Sequence, residues 1–340
     1  MPPKLLADLP ADVVQHILGR LTLAHHIARI APTCKVVSVA ARNVIKVRKF
    51  SGEVVTLVGH NVMSVAAAPD GRIVTGSSYK TLKVWRNGAC ERTIQAHTRD
   101  IECVAVLPGG ARFLSGSDDY SAKLWTIDGA LERTFKVSED FVWAVAALPD
   151  GVHFAVGLGT SKELKLYHVD GTLVHTFVGH TLDVMALTVT LDGQHIISGS
   201  ADYRVRVWSV ATKSLVSTCR GHAGGVYALA AMPDGQRILS GGYDKTVRVW
   251  LLDGTLKGAF DLHTGEVYAL VALPDNQHAL SGSADGTVKL FNVNDGAVLL
   301  TFTHHTSGVY SLALLPDGRR FVSGADDGDA CIAYHGLAPH

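Results

Sequence analysis

The feature that most limits what this chain can fold into is a turn that returns at a nearly fixed interval. Leu148-Pro149-Asp150-Gly151, Met232-Pro233-Asp234-Gly235 and Leu315-Pro316-Asp317-Gly318 are copies of it, with variants at Leu107 to Gly110, Leu273 to Asn276, Leu191 to Gly193 and Pro69 to Gly71. Thirteen residues before the last residue of most copies stands a histidine: His97, His180, His222, His263 or His305. Ser138 takes that place in the third copy, and His60 takes it two residues nearer in the first. Successive copies are 37 to 42 residues apart. Most continue with Ser-Gly, an aspartate three residues after that glycine and an aromatic nine after it, as in Ser240-Gly241-Gly242-Tyr243-Asp244-Lys245-Thr246-Val247-Arg248-Val249-Trp250. Such a period makes each copy one supersecondary unit whose burial comes from stacking on its neighbours.

Within a unit the patterns are those of strands. Val226-Tyr227-Ala228-Leu229-Ala230-Ala231 is a short apolar run suited to a strand buried on both faces, and Val247-Arg248-Val249-Trp250 alternates as a half-buried strand does. The Pro-Asp-Gly between them is a turn: proline presets φ and glycine accepts positive φ. No stretch between copies has room for a long helix. With 47% apolar and 18% charged residues the chain can build a core, and several short strands per unit predict a propeller blade.

These residues resemble the WD-repeat family, whose unit is a four-stranded blade, over residues 51–340. The resemblance implies hydrogen-bonded tetrads joining an outer loop to the blade interior: His97, Ser115, Asp119 and Trp125; His180, Ser198, Asp202 and Trp208; His222, Ser240, Asp244 and Trp250. Other copies depart from it. The sixth ends in Phe291 and the seventh has Ala333 in place of the aromatic. The first has Tyr79 for aspartate. The third keeps neither histidine nor aspartate and reaches Tyr167 through a one-residue insertion. These blades are expected to lack the full hydrogen-bond set and to be less rigid. A hydrolase triad is a poor reading of the same residues, because a triad occurs once and this set recurs at one spacing. The seventh copy stops after Ile332-Ala333-Tyr334, so residues 53–57 are expected to complete it.

The first 49 residues do not repeat. Charge divides there as well: residues 1–50 carry +6, against a net charge of zero for the chain, which points to two modules. Val13, Val14, Ile17, Leu18 and Leu21 share one helical face, Leu23, Ile27, Ile30 and Ala31 form a second stripe, and a third helix is predicted from Thr33 to about Val47. The run Leu9-Pro10, Val14, Ile17, Leu18, Leu21, Ile27, Ile30, Cys34 and Lys35 resembles an F-box. It departs from that family in having Asn43-Val44-Ile45 where a tryptophan is usual, and in its short junction to the first strand. The resemblance implies that Leu9, Pro10, Val14, Ile17, Leu18, Leu21 and Ile27 dock on the Skp-type adaptor of a cullin–RING ubiquitin ligase. The expected fold is thus an all-β seven-bladed WD-type propeller over residues 50–340, preceded by a small all-α, three-helix, F-box-like module over residues 1–49.

The position five after each histidine opens the innermost strand. It holds Glu102, Trp143, Met185, Tyr227, Tyr268 and Tyr310, with Met63 as the equivalent in the shortened first copy. Large aromatic and thioether side chains of this kind are enriched at binding surfaces, so they are expected to line one rim of a central channel. Arg99, Asp118, Tyr243 and Asp326 are added from the loops of the same face. A protein substrate is expected to bind here, across blades five to seven.

Other function classes find little support. Lysine plus arginine equals aspartate plus glutamate at 31 each, so no overall basic field exists to hold nucleic acid. The five cysteines are scattered, without C-x-x-C, and the other histidines, such as His25, His26 and His175, lack ligand spacing. No disulfide framework, metal or cofactor is expected, and a reducing compartment, cytoplasm or nucleus, fits best. Neither a cleavable signal peptide nor a membrane span is read. Gly157-Leu158-Gly159-Thr160-Ser161-Lys162 lacks phosphate-loop spacing and reads as a turn. The function expected is that of a ubiquitin-ligase substrate receptor, with a plain scaffold for protein complexes as the alternative. Enzyme chemistry is not expected.

Overall fold

The computed structural model describes residues 54–58, 61–137 and 139–337. The module read over residues 1–49, with Leu9, Pro10, Val14, Ile17, Leu18, Leu21 and Ile27, lies outside the described residues, as do His60 and Ser138. The described residues form seven four-stranded antiparallel sheets, one per repeat, and no helix among them is long and apolar enough to cross a membrane.

Six sheets are meanders of four consecutive strands. Blade one runs Val62–Ala67, Ile73–Ser77, Thr81–Arg86 and Ala89–Gln95 from the centre outward. Blade seven draws on both ends of the described residues. Its three inner strands are Val309–Leu314, Arg320–Ala325 and Asp329–Tyr334, and its outer strand is Val55–Val58. In that pairing Val55 faces Ile332, Thr56 faces Cys331, Leu57 faces Ala330 and Val58 faces Asp329. Leu57 is fully buried there, in one cluster with Val62, Trp85 and Ile332. The closing strand shares Val55 to Leu57 with the stretch read from the sequence. The innermost strands pack in ring order, with that of blade one against that of blade seven.

The core lies between blades. Leu114 and Phe135 of blade two meet Phe154 and Tyr167 of blade three in one cluster. The glycine of each Ser-Gly pair is what lets adjacent blades come this close. A Cβ built on Gly241 would stand 2.5 Å from Val267 Cγ1 in the next blade, and one on Gly324 would stand 2.5 Å from Val62 Cγ1 across the ring closure. The same clash, with Ile101, Val142, Val184, Val226 or Val309, recurs at Gly76, Gly116, Gly157, Gly199 and Gly282. A repeated glycine in a strand here marks a place where a neighbour's side chain fills the space of a Cβ. Outward the burial falls away: strand Ala89–Gln95 is exposed along nearly its whole length and carries Glu91 and Arg92. Charges of this kind blunt an outer edge against further strand pairing.

Candidate functional site

The polar sets come first, because they fix the loops that form the site. In blade two the Trp125 indole N–H donates to Ser115 Oγ at 2.9 Å, and Ser115 Oγ lies 2.7 Å from His97 Nε2. Asp119 is held ionised and can only accept, so the ring proton sits on Nδ1, 2.9 Å from Asp119 Oδ2, and the neutral ring's Nε2 accepts from the serine hydroxyl. The same relay joins Trp208, Ser198, His180 and Asp202 in blade four, and Trp250, Ser240, His222 and Asp244 in blade five. Burial opposes ionisation of Asp119, but the hydrogen bonds of His97, Ser121 and Thr98 outweigh it and hold the carboxyl well below the usual range. Ser115, Ser198 and Ser240 are 0% exposed, so none can act as a nucleophile on an outside substrate.

The departing copies are better tied than their sequences suggest. Blades six and seven keep both histidine bonds: His263 to Ser281 and Asp285, and His305 to Ser323 and Asp327. Blade six lacks only the indole donor, since Phe291 has none. Blade seven replaces it, because His304 Nε2 lies 3.0 Å from Ser323 Oγ. In blade one Trp85 donates to Thr75 Oγ1 at 3.0 Å. In blade three the buried carboxylate of Asp140 accepts from the amides of Thr160 at 2.6 Å and Ser161 at 2.7 Å, bracing the loop by another route. Blades one, three and six thus lack the full set, as expected, while Asp140 in blade three and His304 in blade seven supply bonds from positions off the repeat's register.

On the same face the residues read from the sequence take one backbone position. Met63, Glu102, Trp143, Met185, Tyr227, Tyr268 and Tyr310 each sit where the innermost strand slips register against its neighbour. A bulge at this point re-aims the side chain, and all seven are half-buried rather than packed away between blades. Trp143, Met185, Tyr227, Tyr268 and Tyr310 line one central cavity of about 220 Å³, whose wall includes neither Met63 nor Glu102. The tyrosines form a ladder: ring centroids are 5.6 Å apart from Tyr227 to Tyr268 and 4.9 Å apart, stacked, from Tyr268 to Tyr310. Burial, then Glu266 and the neighbouring phenols, push Tyr268 up to about 12, so it remains a neutral hydroxyl. Trp143 Nε1 is a buried donor with no acceptor among the described residues.

The loop residues are more scattered. Arg99 lies over the Tyr120 ring at 5.2 Å and reaches its hydroxyl at 3.3 Å. Tyr120 in turn meets Phe141 at 5.4 Å, and Phe141 meets Trp143 at 6.1 Å, which carries an aromatic path from the rim to the cavity. Tyr120 and Phe141 were not singled out from the sequence. Tyr120 and Tyr203 adopt positive φ in the turn where blades six and seven have Gly286 and Gly328. That backbone disfavours a side chain, and Tyr203 is nonetheless 47% exposed. Tyr243 is exposed, and Asp326 accepts from Asn61 Nδ2 at 3.2 Å, bridging blades seven and one. Asp118 and Glu102 lie close together. Burial, then Asp118 and Asp100, push the Glu102 carboxyl up to about 7.

Comparison with known proteins agrees with this architecture. The family model described as "WD domain, G-beta repeat" matches residues 51–86, 88–126, 171–209, 213–250, 254–292 and 296–332, which leaves the third repeat unmatched. Nuclear distribution protein nudF 1 of Talaromyces marneffei is 43% identical over 54 residues, 16% of this chain and 12% of its own length. Nuclear distribution protein PAC1 of Arthroderma otae is 38% identical over 85 residues, 21% of this chain and 18% of its own. Small ribosomal subunit protein RACK1 of Dictyostelium discoideum is 34% identical over 87 residues, 22% of this chain and 26% of its own. The matched regions are therefore short pieces of each relative.

Proposed function

The chain belongs to the WD40 family, and from that premise we propose that it is a non-enzymatic platform whose histidine-loop face holds a segment of a partner protein. The observation that carries this is the tyrosine ladder of blades five to seven. Three large, half-buried rings beside a cavity offer apolar area and hydroxyl donors without much rotamer entropy to lose. The relatives carry names from different settings, nuclear distribution and the small ribosomal subunit, which favours a shared platform over a shared partner. Affinity capture with the wild type, and with Tyr227, Tyr268 and Tyr310 all changed to alanine, tests the reading. The triple variant should lose its protein partners while keeping its fold, and unchanged capture would move the site elsewhere.

The finer reading, of a ubiquitin-ligase substrate receptor in the cytoplasm or nucleus, is supported by the sequence of residues 1–49 alone. There the Skp-type adaptor would engage Leu9, Pro10, Val14, Ile17, Leu18, Leu21 and Ile27, and the ligase would supply all the chemistry. Pull-down of adaptor and cullin by the full chain, against Leu9→Ala with Pro10→Ala, separates receptor from scaffold. Only the receptor loses a ligase partner.

A further inference from the structure

Blade seven departs from its six siblings at three positions, and the three departures meet in space. The residue before the loop histidine is Ala96, Gly179, Gly221 or Leu262 in blades two, four, five and six, but His304 in blade seven. Two residues before the aromatic position the siblings carry a cation: Lys83, Lys123, Lys165, Arg206, Arg248 and Lys289. In blades two and six this ammonium donates to the carbonyl of the residue before the histidine, from Lys123 to Ala96 at 2.6 Å and from Lys289 to Leu262 at 2.5 Å. In blade seven that position is Cys331, and the aromatic is Ala333. A repelling cation has been exchanged for a thiol, and the adjoining residue for an imidazole. One ligand atom each from His304, His305 and Cys331 lies within 4.8 Å of the others.

From this cluster we infer that blade seven binds a zinc ion through His304, His305 and Cys331. Zn–N bonds of about 2.0–2.1 Å and Zn–S bonds of about 2.3 Å set tetrahedral ligands roughly 3.3–3.6 Å apart, so the atoms need to close by up to about 1.5 Å. Both imidazoles already converge, since each Nε2 is within 3.0 Å of Ser323 Oγ, which is placed to be the fourth ligand or to yield to water. Asp327 holds His305 at Nδ1, 3.0 Å away, and so leaves Nε2 for the metal, as carboxylates behind metal-bound histidines do. Binding releases the Cys331 thiol proton, and its affinity rises with pH. The ion would tie the loop entering blade seven to strand Asp329–Tyr334, whose other neighbour is the closing strand Val55–Val58. It would act as a clip at the one seam built from both chain regions.

The full chain, stripped with a chelator, is titrated with Co²⁺ and then with Zn²⁺. About one equivalent of Co²⁺ should give a thiolate charge-transfer band in the near ultraviolet that Zn²⁺ abolishes. The band should vanish in Cys331→Ser and weaken in His304→Gln, which keeps a donor for Ser323, and should persist in Cys34→Ser and Cys90→Ser. Zinc should raise the melting temperature of the wild type and not that of Cys331→Ser. The inference fails if the wild type gives no band, or if the band survives in Cys331→Ser. Should Cys331→Ser not fold, His304→Gln decides instead: a lowered zinc affinity supports the site and an unchanged affinity overturns it.

Discussion

His304 Nε2 sits 3.0 Å from Ser323 Oγ, the place that the indole nitrogens of Trp125, Trp208 and Trp250 take on Ser115, Ser198 and Ser240. A histidine reaching in from the preceding loop thus stands in for a tryptophan missing from the strand. In metal-free buffer, Ala333→Trp alone should destabilise by about 1–3 kcal/mol, because two donors then compete for one hydroxyl in a filled site. Adding His304→Gly should recover most of the loss. Urea midpoints for the two single variants and the double variant measure the coupling, and strictly additive effects would show that the two side chains do not share the site.

Ser240 is the hinge of the blade-five relay, with Trp250 donating to it at 2.7 Å and His222 accepting from it at 2.7 Å. Ser240→Ala should cost about 1–3 kcal/mol by leaving both partners buried and unpaired. Ser281→Ala in blade six should cost less, because Phe291 presents no donor there. Comparable losses for the two, read from thermal or urea midpoints, would contradict the relay.

How much of this was legible in the sequence depends on whether a contact repeats. The blade count, the tetrads and the residues opening the inner strands all recur at one spacing, so periodicity exposes them. The role of glycine in Ser-Gly was not legible, because the side chain that claims its space, such as Val267 against Gly241, belongs to the next unit. Asp140 and His304 were missed because they do a tetrad member's work from positions that no other copy uses. The cluster of His304, His305 and Cys331 escaped because ligand spacing along the chain says nothing about ligands gathered across strands. The path from Arg99 through Tyr120 and Phe141 to Trp143 likewise joins two repeats and follows no period.

Blade packing has its own test at Gly241. Gly241→Ala places a Cβ 2.5 Å from Val267 Cγ1 and should destabilise by about 1–3 kcal/mol through overpacking. Val267→Ala in the same chain frees that volume and should return part of the loss. If the second substitution only adds to the damage, the clash is not the cause.

Glu102 provides a pH test. Its carboxyl is raised to about 7 in the folded chain by burial and by Asp118 and Asp100, against an ordinary value of 4.5. Between these values the unfolded chain releases a proton that the folded chain keeps, so this residue's contribution to stability falls as pH rises from about 4.5 to about 7. Glu102→Gln should therefore match the wild type near pH 4 and be the more stable of the two near pH 8. Melting temperatures across that range decide it, and parallel curves would place the carboxylate in better-solvated surroundings.

Pairing Val55–Val58 with Asp329–Tyr334 has a consequence for biosynthesis. Strand Val55–Val58 leaves the ribosome long before its neighbour, because nearly the whole propeller must be translated in between. Until then the nascent chain carries a lone strand at one side of a gap and an unpaired blade at the other, both open to wrong partners. A stop before strand Asp329–Tyr334 would leave Val55–Val58 without its neighbour. Ring closure therefore waits for the seventh repeat, and chaperone capture of stalled chains should persist until residues near 334 have emerged.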